Sequence, residues 1–169
     1  TGGIANISNP SAAASPGNYG NFTAMAVSAA DGTSFNFSTT YVGGGNGVRI
    51  WVDWNNNLAF EPGESVYYLA DGNATKTGTI AVPGSTAPGN YRMRIRSQYG
   101  TTVDPPPCGN VSFGETEDYT VTVFANTACV GTPAPGNTTG PNGTASGGTV
   151  NLGIQNGTVG SGVSYQWYV

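Results

Sequence analysis

Tyr91-Arg92-Met93-Arg94-Ile95-Arg96-Ser97-Gln98-Tyr99 alternates apolar and charged side chains with a period of two. In an extended chain successive side chains point to opposite faces, so Tyr91, Met93 and Ile95 share one face and Arg92, Arg94 and Arg96 the other. Val48-Arg49-Ile50-Trp51-Val52-Asp53-Trp54 repeats the pattern, with Val48, Ile50 and Val52 opposite Arg49, Trp51 and Asp53. A third segment sets Tyr119, Val121 and Val123 along one side. Such strands need a second layer over their apolar face.

Further strand signals recur outward from these segments at short spacing. Strands are expected at 22–28, 34–41, 48–54, 66–70, 77–82, 91–99 and 117–124, with reversals at Asp31-Gly32, Asp71-Gly72 and Pro83-Gly84. No apolar 3.6-residue period survives the Gly, Pro, Asn and Thr interruptions, so crossover helices are not expected. Seven strands without helices predict an all-β, antiparallel β-sandwich of jelly-roll or immunoglobulin-like type over residues 1–125. Residues 126–148 are rich in Gly, Thr, Pro and Asn and read as a linker. Two more strand-like runs, 149–154 and 163–169, suggest a partial immunoglobulin-like module at 149–169, with Trp167 as its buried Trp. It is either truncated or completed by an edge supplied from elsewhere.

Only 8% of the 169 residues are charged, against roughly 25% in an ordinary soluble domain. Gly, Thr, Asn and Ser fill nearly half of the positions, so the surface consists of small neutral polar groups. Lys+Arg 5 and Asp+Glu 9 give a net charge of −4, which offers no footprint for nucleic acid. There is no His, which removes Ser-His-Asp and Cys-His catalysis and His-based zinc sites. No apolar run approaches the roughly 20 residues of a membrane span, and Thr1-Gly2-Gly3 does not open a signal peptide. The composition is that of an extracellular-type β domain, and the piece is expected to have been excised from a longer exported protein.

Asp53-Trp54-Asn55-Asn56-Asn57-Leu58-Ala59-Phe60-Glu61-Pro62-Gly63-Glu64 carries the clearest chemical pattern. Asp53, Asn55, Asn57, Glu61 and Glu64 present oxygens at positions 1, 3, 5, 9 and 12, and Ala59 offers a carbonyl at position 7. That is the ligand spacing of a twelve-residue calcium loop, so Ca2+ is the expected cofactor. Leu58 departs from it, because position 6 ordinarily needs Gly for the sharp turn. The alternative is a polar hairpin whose Asn residues take turn conformations.

Ile50-Trp51-Val52-Asp53-Trp54-Asn55-Asn56-Asn57, then Glu64, then Tyr91 to Arg96, then Gly114-Glu115-Thr116-Glu117-Asp118-Tyr119 follow in an order that resembles the GEVED domain. Thr116 stands for the Val of the signature, and Leu58 stands where the family pattern has Gly. The resemblance spans about residues 4–125. It implies a β-rich module of large secreted, often cell-surface proteins of Bacteroidetes-type bacteria, and hence secreted or cell-surface localisation. It implies no reaction.

Arg92, Arg94 and Arg96 form a cationic row that repels itself unless neutralised. Glu115, Glu117 and Asp118 are its expected partners, although Glu115 and Glu117 share a face with Asp118 opposite; a supporting role at the metal is the alternative. With Trp51, Trp54 and Tyr99, the arginines are also a candidate ligand-binding set for an anionic polysaccharide. No catalytic residues are expected. Cys108 and Cys129 are expected to form a disulfide, unless Cys129 belongs to the second module.

Together these readings describe a non-catalytic, calcium-stabilised accessory domain of a secreted or cell-surface protein. Its expected role is attachment to a glycan or another surface polymer. The alternative is a structural spacer or fibre-forming subunit assembling through β-strand contacts. Expected partners are a polysaccharide or cell-surface polymer, and neighbouring domains of a longer chain or identical subunits. Neither nucleic acid nor membrane insertion is expected.

Overall fold

The computed structural model describes residues 6–10, 15–42, 45–111, 113–126, 136–140, 148–149 and 153–155. The chain divides into two compact units, Thr1–Ala125 and Asn126–Val169. The first contains β1 (Tyr19–Ala30), β2 (Ser34–Thr40), β3 (Asn46–Val52), β4 (Ser65–Ala70), β5 (Thr75–Ala81), β6 (Gly89–Tyr99) and β7 (Gly114–Phe124). Among the described residues the only helical pieces are two 3-10 turns, Pro16–Asn18 and Pro62–Glu64.

The strands form an all-β, sandwich-like fold. A five-stranded sheet has the order β1-β7-β6-β3-β4, and β2 and β5 form a two-stranded antiparallel sheet. The period-two segments lie at the centre of the large sheet. Val48, Ile50 and Val52 of β3 are 0% exposed, and with Tyr91, Met93, Ile95, Tyr119, Val121 and Val123 they build its inner face. Phe35 of β2, Ile80 of β5 and Val82 close the core from the opposite layer. Each such aliphatic side chain contributes about 1.5–3 kcal/mol by leaving water.

One pairing departs from the antiparallel expectation. β1 runs parallel to β7, from Tyr19↔Thr116 to Ala30↔Phe124, with a register shift between Asn21 and Ala26. The two strands open and close the unit in sequence, so no hairpin fixes their relative direction. In the second unit, β8 (Asn137–Thr139) pairs antiparallel with β9 (Gly153–Gln155). A short strand thus falls inside the segment expected to be linker. The expected strand at 163–169, with Trp167, lies outside the described residues.

Two glycines are required by close backbone approach where the large sheet meets the 100–113 loop. A Cβ at Gly47 would lie 1.7 Å from the Val103 carbonyl oxygen, and one at Gly114 would lie 2.1 Å from the Ser97 carbonyl oxygen. Gly114→Ala is therefore expected to push β7 off β6 and cost about 1–3 kcal/mol, seen as a fall of several degrees in Tm. Gly63→Ala, where nothing lies within 4 Å of the added Cβ, serves as the control and should melt as the parent does.

Candidate functional site

The outer face of the large sheet carries the polar half of the alternating strands. β6–β7 register sets Arg94 opposite Asp118. The two meet in a bidentate pair, Nε to Oδ1 and Nη2 to Oδ2, both 2.7 Å. Asp118 has 1% of its side chain exposed and Arg94 15%. Asp118 holds the Arg94 guanidinium above its ordinary pKa. Tyr19 donates to the same carboxylate at 2.9 Å, and Arg94 Nη1 donates to the Pro107 carbonyl at 3.0 Å. Phe60 covers the guanidinium at 4.8 Å and sits 6.4 Å from the Trp51 ring.

Arg96 is 1% exposed and spends its donors on backbone, bonding the Pro106 carbonyl at 2.6 Å and the Gly109 carbonyl. Burial, reinforced by the neighbouring Arg94 charge, lowers its pKa. Arg49 pairs with Asp104 at 2.9 Å and stacks on Tyr68 at 4.9 Å. The outer face is thus roofed by the 53–64 and 100–113 loops, both tied down by arginines.

The 53–64 loop closes on its own oxygens. Asp53, 1% exposed, accepts the Asn57 N–H at 3.1 Å and the Leu58 N–H at 3.0 Å. Asn55 Oδ1 accepts the Asn57 N–H and Asn57 Oδ1 the Ala59 N–H, both at 2.9 Å. The side-chain amides of Asn55 and Asn57 donate to Glu61 at 2.9 and 2.6 Å. Glu64, 6% exposed, accepts the Glu61 N–H at 3.1 Å and the Asn55 N–H at 3.4 Å. Among the described residues no three His, Cys, Asp or Glu side chains converge in a way that could hold a metal.

Glu115 and Glu117 lie on the other side of β7, away from the arginines. They enter a cleft of about 620 Å³ between the two layers. Glu117 accepts from the Tyr119 hydroxyl at 2.9 Å and from Asn9 at 3.4 Å, and Glu115 accepts the Ser15 N–H at 2.7 Å. Burial raises the Glu117 pKa, and Glu115 adds to the rise. Burial likewise pushes up the phenols of Tyr119 and Tyr41, which line the same cleft.

These positions correct several expectations. Of the three expected acids only Asp118 serves an arginine; Glu115 and Glu117 do not, because strand parity puts them on the core face. Trp51 is 1% exposed and so is closed to a ligand, while Arg94 and Arg96 line a recess of about 460 Å³ with Tyr19 and Cys108 but have their guanidinium groups engaged internally. Trp54 is half-buried against Tyr91, with ring centroids 5.6 Å apart. Arg92 and Tyr99 remain exposed. Cys108 is exposed and carries no disulfide, its sulfur lying 3.7 Å from Arg94 Nη1. Its expected partner Cys129 lies outside the described residues.

Sequence reasoning passed over Lys76. It is 1% exposed, held by Asp71 and the Asn73 carbonyl, and its ammonium keeps the Asp71 carboxyl below the ordinary carboxylate value. The Asp71-Gly72 turn five residues upstream was the available signal.

The fold and its tied-down polar face define a β-sandwich module whose ionic groups mainly hold loops in place. The family model for the GEVED domain matches residues 47–122, and the chain carries a GEVED domain there. Such domains are typically non-catalytic parts of secreted or surface multidomain proteins. No curated protein and no solved structure matches the chain. The signature reads directly in physical terms: Gly114 admits the Ser97 carbonyl, Asp118 clamps Arg94, and Glu115 and Glu117 face the cleft.

Leu58 has φ 69, a left-handed conformation that Gly adopts without strain, and its side chain is 77% exposed. Leu58→Gly removes a penalty of roughly 1–2 kcal/mol, partly offset by the greater freedom of Gly in the unfolded chain. A net gain of about 1 kcal/mol in urea unfolding is expected, with no gain from Leu58→Ala.

Proposed function

We propose that residues 1–125 act as a non-catalytic attachment domain of a secreted or cell-surface protein, joining it to a glycan or another surface polymer. Calcium in the 53–64 loop acts as its staple. The supporting observation is the pair of buried carboxylates, Asp53 and Glu64, whose hydrogen-bond donors among the described residues are all backbone N–H groups. Buried charge without a counter-charge is costly, and a divalent cation offsets it. The donor chemistry suits calcium, which takes six to eight hard oxygens. Because no three carboxylates converge, the shell depends on Asn55 and Asn57 amide oxygens and the Ala59 carbonyl, with Glu61 released from the asparagine amides.

Attachment is supported by the family context and by the inter-layer cleft, an open recess with polar and aromatic walls. The arginine row contributes structure to this role; Arg92 and Tyr99 are the members of the expected ligand set left at the surface.

Thermal melts in calcium and in EDTA test the staple. At a twentyfold excess of calcium over its Kd, the gain is about 1.8 kcal/mol, and Asn57→Ala should remove the calcium dependence. Identical melts in calcium and EDTA would overturn the metal reading. Retention on gels bearing neutral or anionic polysaccharides tests attachment to glycan separately.

A further inference from the structure

The roof of the sandwich has two strands where the floor has five. β2 pairs with β5 on one side, and no strand among the described residues pairs with its other edge. The Val82 N–H bonds the Thr33 carbonyl and the Tyr41 N–H bonds the Ala74 carbonyl, which fixes the hydrogen-bonding phase of the β2–β5 ladder. By that phase, Asn36, Ser38 and Thr40 turn their backbone N–H and C=O groups away from β5. Among the described residues no hydrogen bond reaches those groups from outside the ladder.

The 620 Å³ cleft runs along this edge. Val27, Met93 and Ile95 contribute its apolar floor, and the segment at 6–10 flanks it, with Ile7 packed on the core. Neighbouring strands lie about 4.8 Å apart, so a single extended chain is the shape that satisfies the free edge.

Charge limits what that chain is. Glu115 and Glu117 enter the cleft, and none of their hydrogen-bond donors is a cation. The protein has only five Lys and Arg residues, at 49, 76, 92, 94 and 96. Four are engaged with Asp104, Asp71, Asp118 and the 106–109 carbonyls, and Arg92 is fixed on β6 by its place in the sheet. Residues 1–48 and 97–169 contain no Lys or Arg, so no segment within them, from this chain or exchanged from a second copy, brings a Lys or Arg side chain to the cleft.

We propose that the cleft binds an extended strand of a different polypeptide by β-strand addition to the free edge of β2. Its apolar side chains would meet the floor, and a Lys or Arg would meet Glu115 and Glu117. The inference rests on the attachment reading and names the polymer as polypeptide. Affinity comes from main-chain hydrogen bonds, and specificity from alternate side chains. Tyr41, at the end of β2, lies on the glutamate side, so an antiparallel strand carries its cation near its N-terminus.

The test uses the whole chain and a fluorescent peptide, acetyl-Lys-Thr-Val-Thr-Val-Thr-Val-amide, read by anisotropy and by amide chemical shifts. Saturable binding with shifts at Asn36, Ser38 and Thr40 is expected. Replacing the peptide Lys by Glu should weaken binding about tenfold or more, as should Glu117→Gln in the protein. Ser38→Pro removes an outward N–H from an edge strand and should abolish binding while leaving the melt intact. If that variant unfolds, a peptide N-methylated along its bonding edge asks the same question of the parent protein. Absent binding, equal binding of the Lys and Glu peptides, or shifts confined to other surfaces would overturn the proposal. Saturation of the cleft by calcium alone or by an oligosaccharide, with no peptide effect, would also overturn it. The oligosaccharide result would leave the attachment reading standing.

Discussion

The Arg94–Asp118 pair is the constraint on which the outer half of this domain depends. Two 2.7 Å bonds join the central strand β6 to β7, with the carboxylate almost wholly out of water. A buried pair of this kind gains little over well-packed apolar groups, yet losing one partner leaves a stranded charge. Phe60 can cover the guanidinium only because the 53–64 loop folds back across the sheet. Pro107 can accept from it only because the 100–113 loop does the same. One ion pair therefore organises two loops that are distant in sequence.

The two faces of the sheet are ordered by different physics. The inner face is held by close-packed β-branched and aromatic side chains, where shape decides the outcome. The outer face is held by arginines, which suit the task because a planar fork can satisfy several carbonyl and carboxylate oxygens at once. In a chain with so few charges, this concentration of cations on one strand is a structural device. Its consequence is that β7 divides its acids by parity, with Asp118 outward on Arg94 and Glu115 and Glu117 inward along the cleft.

The sequence was most legible where periodicity carries the information. The inner faces of β3, β6 and β7 follow directly from alternation at 48–52, 91–95 and 119–123, because burial of one face enforces register. Parity also separates Asp118 from Glu115 and Glu117, although proximity in sequence suggested that all three serve the arginines. What alternation does not encode is which residues cover an outer face. Trp51 is buried because Phe60 returns over it, and Arg96 because the 106–109 backbone does. The parallel course of β1 along β7 is equally silent, being a contact between the ends of the unit. The 53–64 loop was legible as an oxygen-rich turn, and the positive φ of Leu58 explains why Gly is the natural residue there.

A double-mutant cycle on Arg94→Met and Asp118→Asn, read by urea unfolding, tests the central claim most directly. If the pair organises the outer face, each single change costs about 3 kcal/mol, and the double variant is little worse than either one. That corresponds to a coupling energy above about 2 kcal/mol. Additive losses, with coupling below about 0.5 kcal/mol, would show that the loops are held by packing and backbone bonds alone and would contradict the account.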